Sequence, residues 1–258
     1  MRFTSEQRLD DGIVEREFTL GEIPGILWTP GSAPKPAPLI LLGHPGGLHK
    51  MYPRLVARAR HSAAEGFAAA TIELPGSGER PRDAAAEQAR ADLRRALGAG
   101  EPVDEIVDRL ILPLTERAVP EWRATVDALL SLPEICGPVG LAGGVISIGT
   151  RLAVVEPRIS AAVLFAGSFV PQTILEEARQ VTIPLLVLLQ WDDAGNDRQK
   201  ALDLFDAFGS TEKTLHANMG GHTGVPQFEG DDGTRFFARH LVGRGPYRLT
   251  CDDVAPAK

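Results

Sequence analysis

Short continuous apolar runs separated by helical patterns set the architecture of this chain. Pro-Leu-Ile-Leu-Leu-Gly at 38–43, Phe-Ala-Ala-Ala-Thr-Ile-Glu at 67–73, Ile-Cys-Gly-Pro-Val-Gly-Leu at 135–141, Ile-Ser-Ala-Ala-Val-Leu-Phe-Ala at 159–166 and Ile-Pro-Leu-Leu-Val-Leu-Leu-Gln at 183–190 are each a few residues long. Runs of this kind suit strands covered on both faces, as the strands of a parallel sheet are. Patterns of helical period lie between them at 52–65, 120–131, 143–155 and 197–208. Strand and helix therefore alternate, which predicts an α/β fold: a mostly parallel central sheet joined by right-handed crossovers, with helices on both faces. Ahead of the first run, 13–20 alternates loosely as a half-exposed strand does, and 22–29 is placed to pair with it as a hairpin.

A length of 258 residues suits one such domain spanning 1–258. Hydrophobic residues at 43% and charged residues at 24% belong to a globular protein, and the net charge of −7 gives no electrostatic reason to bind nucleic acid or anionic lipid. The N-terminal Met-Arg-Phe-Thr-Ser-Glu-Gln-Arg lacks the apolar core of a signal peptide, and no stretch approaches the roughly 20 apolar residues of a membrane span. A cytoplasmic location and a small-molecule partner are the expectation. Cys136 and Cys251 are the two cysteines, with no CxxC or Cys/His ligand spacing, so neither a disulfide framework nor a metal site is expected and Cys136 reads as a packing residue.

One segment departs from the alternation. Residues 79–118 are charged, alanine-rich and helical, and they interrupt a crossover between two strands. They read as a small lid or cap inserted above the carboxyl ends of the strands, where open α/β sheets bind ligands. An elongated, solvated crossover helix is the plainer alternative. Leu110, Ile111, Leu112, Leu114 and Trp122 are its possible apolar wall residues, although packing of lid on core explains them as well. The tail from Gly243 onward has no periodicity and reads as a loose terminus.

Three stretches carry residues suited to chemistry. Leu-Gly-His-Pro-Gly-Gly-Leu-His-Lys at 42–50 follows a buried strand, and Gly46 and Gly47 could turn backbone N–H groups into a cleft as an oxyanion hole does; a tight turn needing glycine for its geometry alone is the other reading. Leu-Leu-Val-Leu-Leu-Gln-Trp-Asp-Asp at 185–193 ends a strand in two carboxylates, either of which could orient a histidine: Asp193 is preferred, Asp192 is its rival, and one of them could instead cap the helix beginning near Asp197. Gly-Gly-His-Thr-Gly at 220–224 places His222 in a loop after the acid-bearing strand end, where an imidazole can serve as general base.

In this order the stretches resemble the α/β-hydrolase family, most closely its branch of dienelactone hydrolases and small esterases, from about residue 36 to residue 241. Thr-Ile-Glu-Leu-Pro-Gly-Ser-Gly-Glu-Arg at 71–80 is similar to the family's D-x-P-G-H-G segment, with Glu73 and Ser77 as departures, and Pro45 stands where its oxyanion loop usually has glycine. The resemblance implies a nucleophile on a G-x-S-x-G elbow, assisted by His222 and oriented by Asp193, and it implies no metal or organic cofactor. Gly-Leu-Ala-Gly-Gly-Val-Ile-Ser-Ile-Gly at 140–149 admits two registers for that elbow. One puts Ala142 at the apex between Gly140 and Gly144; the other puts Ser147 there and turns the first glycine into Val145. The need for very small neighbours, and a helix of useful length from Gly143 to Val155, favour Ala142. A methyl group cannot attack a carbonyl. The chain then reads as a serine-type hydrolase of esters, thioesters or lactones with Ser replaced by Ala142, its oxyanion donors being Gly46 and Gly143. Two alternatives stand beside it: a natural pseudo-hydrolase that binds a ligand or works without a covalent step, and an active enzyme using Ser147.

Overall fold

The computed structural model describes residues 1–31, 36–167 and 169–242, so the tail from Gly243, with Cys251, lies outside the described residues. Its strands are β1 (Arg2–Arg8), β2 (Val14–Leu20), β3 (Ile23–Thr29), β4 (Ala37–Gly43), β5 (Ala68–Ile72), β6 (Ile135–Gly143), β7 (Ile159–Phe165), β8 (Leu185–Gln190) and β9 (Lys213–Asn218). They form one sheet in the order β1-β2-β3-β5-β4-β6-β7-β8-β9. The pairs from β5 through β4 to β9 are parallel, and β1, β2 and β3 extend the sheet as antiparallel strands. The five apolar runs are its five central parallel strands. β1 and β9 are the strands the sequence did not announce: all seven residues of β1 are exposed and none of β9 is fully buried, so neither carries a buried alternation to be read.

The helices are α1 (Leu48–Ala64), α2 (Ala84–Ala99), α3 (Asp104–Leu130), α4 (Ile146–Val155), α5 (Gln172–Ala178), α6 (Arg198–Ala207) and α7 (Phe228–Phe237), the last followed by a wider turn at Ala238–Val242. Side chains of one strand alternate between two cores. Leu39, Leu41, Leu141 and Val187 meet Val119 and Trp122 of α3, Ile148 and Leu152 of α4, and Leu204 of α6. Ile40, Leu42, Ala142, Leu186 and Leu188 meet Leu55 and Ala59 of α1 and Phe236 and Phe237 of α7. This period of two is what a sheet covered on both faces demands.

The segment 79–118 does not stand apart from the helix expected at 120–131. It holds α2 and the first half of α3, and α3 continues through Pro113 and Pro120 to Leu130. A proline inside a helix costs about 3 kcal/mol. Burial of Ala118, Val119, Trp122, Val126 and Leu129 along one face offsets that cost, each large side chain contributing about 1.5–3 kcal/mol. Leu114 also packs on this core, whereas Leu110, Ile111 and Leu112 are half-buried. Cys136 is disulfide-bonded, which corrects its reading as a packing thiol.

Trp122→Ala should lower the unfolding free energy by about 3–5 kcal/mol, and Leu97→Ala on the exposed face of α2 by no more than about 0.5 kcal/mol, both read from urea denaturation. Equal effects would show that α3 is not anchored by this face.

Candidate active site at the carboxyl ends of the parallel strands

β8 ends at Gln190, and the three polar side chains at 190, 192 and 193 all engage the loop carrying His222. Asp193 Oδ2 accepts the His222 Nδ1–H at 2.7 Å. Asp193 is itself buried, and its Oδ1 accepts the Gly195 N–H at 3.0 Å, which holds the carboxylate in place. With Nδ1 so engaged, His222 Nε2 is the ring nitrogen left to take a proton, and the imidazole side chain is 56% exposed. The Phe165 ring at the end of β7 meets the imidazole edge-on with centroids 5.6 Å apart.

Asp192 does not face the imidazole. Its carboxylate accepts the N–H groups of Gly220 and Gly221, both at 2.9 Å, and these bonds hold it below the usual carboxylate range. Gln190 Nε2 donates to the Gly221 carbonyl at 3.0 Å. One acid therefore orients the ring and the other shapes its loop. The cap of α6 is a third acid, Asp197, which accepts the N–H groups of Gln199 and Lys200.

The turn after β6 lies later than the glycine pattern predicts. Ala142 is a regular strand residue, paired with Leu42 on one side and Val163 on the other, with its methyl in the core beneath α1 and α7. Gly143 also belongs to the strand, although its φ of 66 already turns the backbone. Gly144 follows with φ 88, and a Cβ there would stand 2.9 Å from Gly43 Cα. Val145 then caps α4, whose first residue is Ile146. The expected apex at Ala142, with a helix from Gly143, is corrected accordingly: cross-strand pairing with β4 and β7 carries the strand past Ala142. The position that enters the helix is Val145, which sequence reasoning treated only as a flank. The signal for it was the doubled glycine directly before a β-branched residue and a helical pattern.

Ser147 lies in the first turn of α4 with no exposed surface, and its Oγ has no hydrogen-bond partner among the described residues. It is therefore not presented to the cleft. The first N–H groups of α4, at Ile146 and Ser147, have no intrahelical acceptor, as at any helix start. Gly46 stands just before Gly47, the N-cap of α1, with open space where a side chain would be.

Around this turn the groups are locked. Arg58 of α1 donates to the carbonyls of Gly43 at 2.9 Å and Ala142 at 2.6 Å, joining the ends of β4 and β6; burial pulls its guanidinium down to about 10. Glu73 accepts the Leu48 N–H at 2.9 Å and the Ser77 hydroxyl, so the two departures in the 71–80 segment form a pair that fixes the start of α1. Arg80 is held by both oxygens of Glu121, at 2.6 and 2.7 Å, which ties this segment to α3. His44 donates from Nε2 to the Ile72 carbonyl at 2.9 Å. A small cavity beneath the turn is lined by His44, Gly144, Val145, Leu74, Trp122 and Ile148, among others.

A second group of polar side chains lies between β9 and α7. His216 Nδ1 donates to Glu229 Oε2 at 2.8 Å, Asn218 Nδ2 donates to Glu229 Oε1 at 2.7 Å, and Asp232 completes a set whose ligand atoms all lie within 4.8 Å of one another. Sequence spacing gave no hint of it, because the residues come from a strand and a helix separated by the His222 loop.

Solved structures with this arrangement of strands and helices are numerous. An esterase described as cold-adapted, from an Arctic intertidal metagenomic library, is 27% identical, covers 93% of this chain and 100% of its own, and superposes with a TM-score of 0.75. The chain has the α/β-hydrolase fold. An acetyl xylan esterase from Paenibacillus sp. R4 is 15% identical over 93% of this chain and 88% of its own, with a TM-score of 0.64. A Klebsiella pneumoniae chain assigned as a dienelactone hydrolase is 17% identical over 88% and 99%, with a TM-score of 0.65. No protein-family model matches the sequence, and no curated protein does. Among the described residues no helix is long and apolar enough to cross a membrane.

In this α/β-hydrolase fold His44 also predicts a pH dependence. Burial holds its imidazole below the ordinary 6.5. As pH falls below 6.5 the unfolded chain binds a proton that the folded chain refuses, so stability present above 6.5 declines, by at most about 1.4 kcal/mol per pH unit, until the folded value is reached. His44→Gln should remove that slope in urea melts between pH 7 and 5. A slope unchanged by the substitution would assign it elsewhere.

Proposed function

We propose that the chain is an ester-cleaving hydrolase that works without an acyl-enzyme, by direct attack of water. The carrying observation is the 2.7 Å contact of Asp193 with His222 at the same carboxyl edge of the sheet as a strand-to-helix turn whose exit residue, Val145, has no nucleophilic atom. In this reading His222 Nε2 takes a proton from a water molecule while the water oxygen bonds to the acyl carbon. The carbonyl oxygen becomes an oxyanion, and the N–H groups of Gly46 and Ile146 stabilise it. Collapse breaks the bond to the alcohol, which leaves with the proton held by His222. Asp193 keeps the ring oriented and stabilises the imidazolium. The resemblance to esterases at 27% identity supports the bond class. The segment 79–118 is the proposed cover of the cleft, with its Leu114, and Trp122 just beyond it, packed on the core.

The second reading, a pseudo-hydrolase that binds an acyl compound unchanged, is favoured by Val145 itself. A serine enzyme disabled at Ala142 is the reading that the strand pairing of Ala142 disfavours, because a hydroxyl there would enter packed core.

Hydrolysis of p-nitrophenyl acetate and butyrate separates these. The native chain should turn over slowly with no burst, and His222→Ala should reduce kcat/KM by about 100-fold or more. Val145→Ser should introduce a burst of p-nitrophenol equal to the enzyme concentration, and Ala142→Ser should not. Activity indifferent to His222→Ala overturns the proposal; absence of activity in the native chain, with saturable binding of the ester, establishes the pseudo-hydrolase instead. A burst with Ala142→Ser would restore the earlier apex.

A further inference from the structure

We propose that His216, Glu229 and Asp232 bind one divalent transition-metal ion, zinc in the first instance, at the base of the loop that carries His222. The three donors converge from two elements, His216 from β9 and the two carboxylates from adjacent turns of α7, with ligand atoms within 4.8 Å of one another. A mixed imidazole and carboxylate set suits zinc and its neighbours, whereas calcium and magnesium prefer oxygen alone.

A separate observation calls for a cation here. The Glu229 side chain is 2% exposed, yet among the described residues no lysine or arginine reaches it, and its partners are His216 and Asn218. A buried carboxylate without a permanent countercharge is costly, and a bound dication removes that cost. Binding through His216 needs no ionisation. The ring proton now on Nδ1 moves to Nε2, which has no partner among the described residues, and Nδ1 becomes a ligand. Asn218 keeps Glu229 oriented from the outer side, as such partners do in metal sites. Asp232 is also paired with Arg235, through Oδ1; the Arg235 side chain is 69% exposed and free to swing away. Three protein ligands leave a fourth position for water, the usual count for zinc in an accessible site.

The placement gives the ion a structural task. Residues 219–227, with His222 among them, run from the end of β9 to the start of α7, and the ion would join the two anchors. Its occupancy is independent of the hydrolytic reading, since none of the three ligands belongs to the Asp193–His222 pair.

The test is titration of the full chain, stripped with EDTA, with ZnCl2 by calorimetry, together with thermal unfolding. One saturable site and a raised Tm are expected, with magnesium and calcium chloride producing neither. Asp232→Asn, on a partly exposed side chain, should fold normally and bind zinc at least tenfold more weakly; His216→Asn should do the same. His222→Ala and His61→Asn should leave affinity unchanged, which separates this site from the Asp193–His222 pair and from the pairing of His61 on α1 with Asp231 on α7. No saturable zinc binding, or binding that survives both Asp232→Asn and His216→Asn, would overturn the assignment.

Discussion

The close approach of β4 and β6 at their carboxyl ends governs everything around the cleft. Gly43 and Gly144 lie so near each other that neither tolerates a Cβ, and Arg58 binds the two strand ends by their carbonyls. A guanidinium placed in that position draws two backbones together that would otherwise present like-signed dipoles to one another. The loop bearing Gly46 and the turn bearing Val145 are thus fixed relative to one another before any ligand arrives. In the proposed mechanism, preorganisation of this kind would make backbone N–H groups effective toward developing negative charge, because no reorientation is needed when the charge appears.

The imidazole side of the cleft is built differently. His222 sits on a loop, and its position is set by a run of polar groups at the end of β8: Gln190 and Asp192 hold the glycines ahead of it, and Asp193 holds the ring. The division of labour between adjacent carboxylates follows from the turn after β8, in which the Asp193 N–H donates to the Gln190 carbonyl: Asp192 meets the backbone of Gly220 and Gly221, and Asp193 meets the imidazole.

The central sheet was legible because its strands are covered on both faces and therefore read as continuous apolar runs; β1 was not, since nothing along it is buried. The contact between Asp193 and His222 was legible because an acid at a strand terminus is placed to orient a histidine in a neighbouring loop. The turn between β6 and α4 was misplaced by three residues. Glycines at 140, 143, 144 and 149 give that stretch several small-residue registers, and the deciding fact, pairing of Ala142 with both Leu42 and Val163, is a contact between distant parts of the chain that no local pattern encodes. The same holds for His216 with Glu229 and Asp232. The helix expected at 120–131 is the later half of α3, because a long buried face keeps one helix whole through Pro113 and Pro120.

That unbroken helix limits how the molecule can open. α3 has its later half seated on the sheet and its earlier half packed with α2, so the earlier half cannot pivot as a free flap without bending a rod anchored by Trp122 and Leu129. If 79–118 covers the cleft as proposed, access past it relies on side-chain rotamer changes, which are fast and small, and not on movement of a backbone segment.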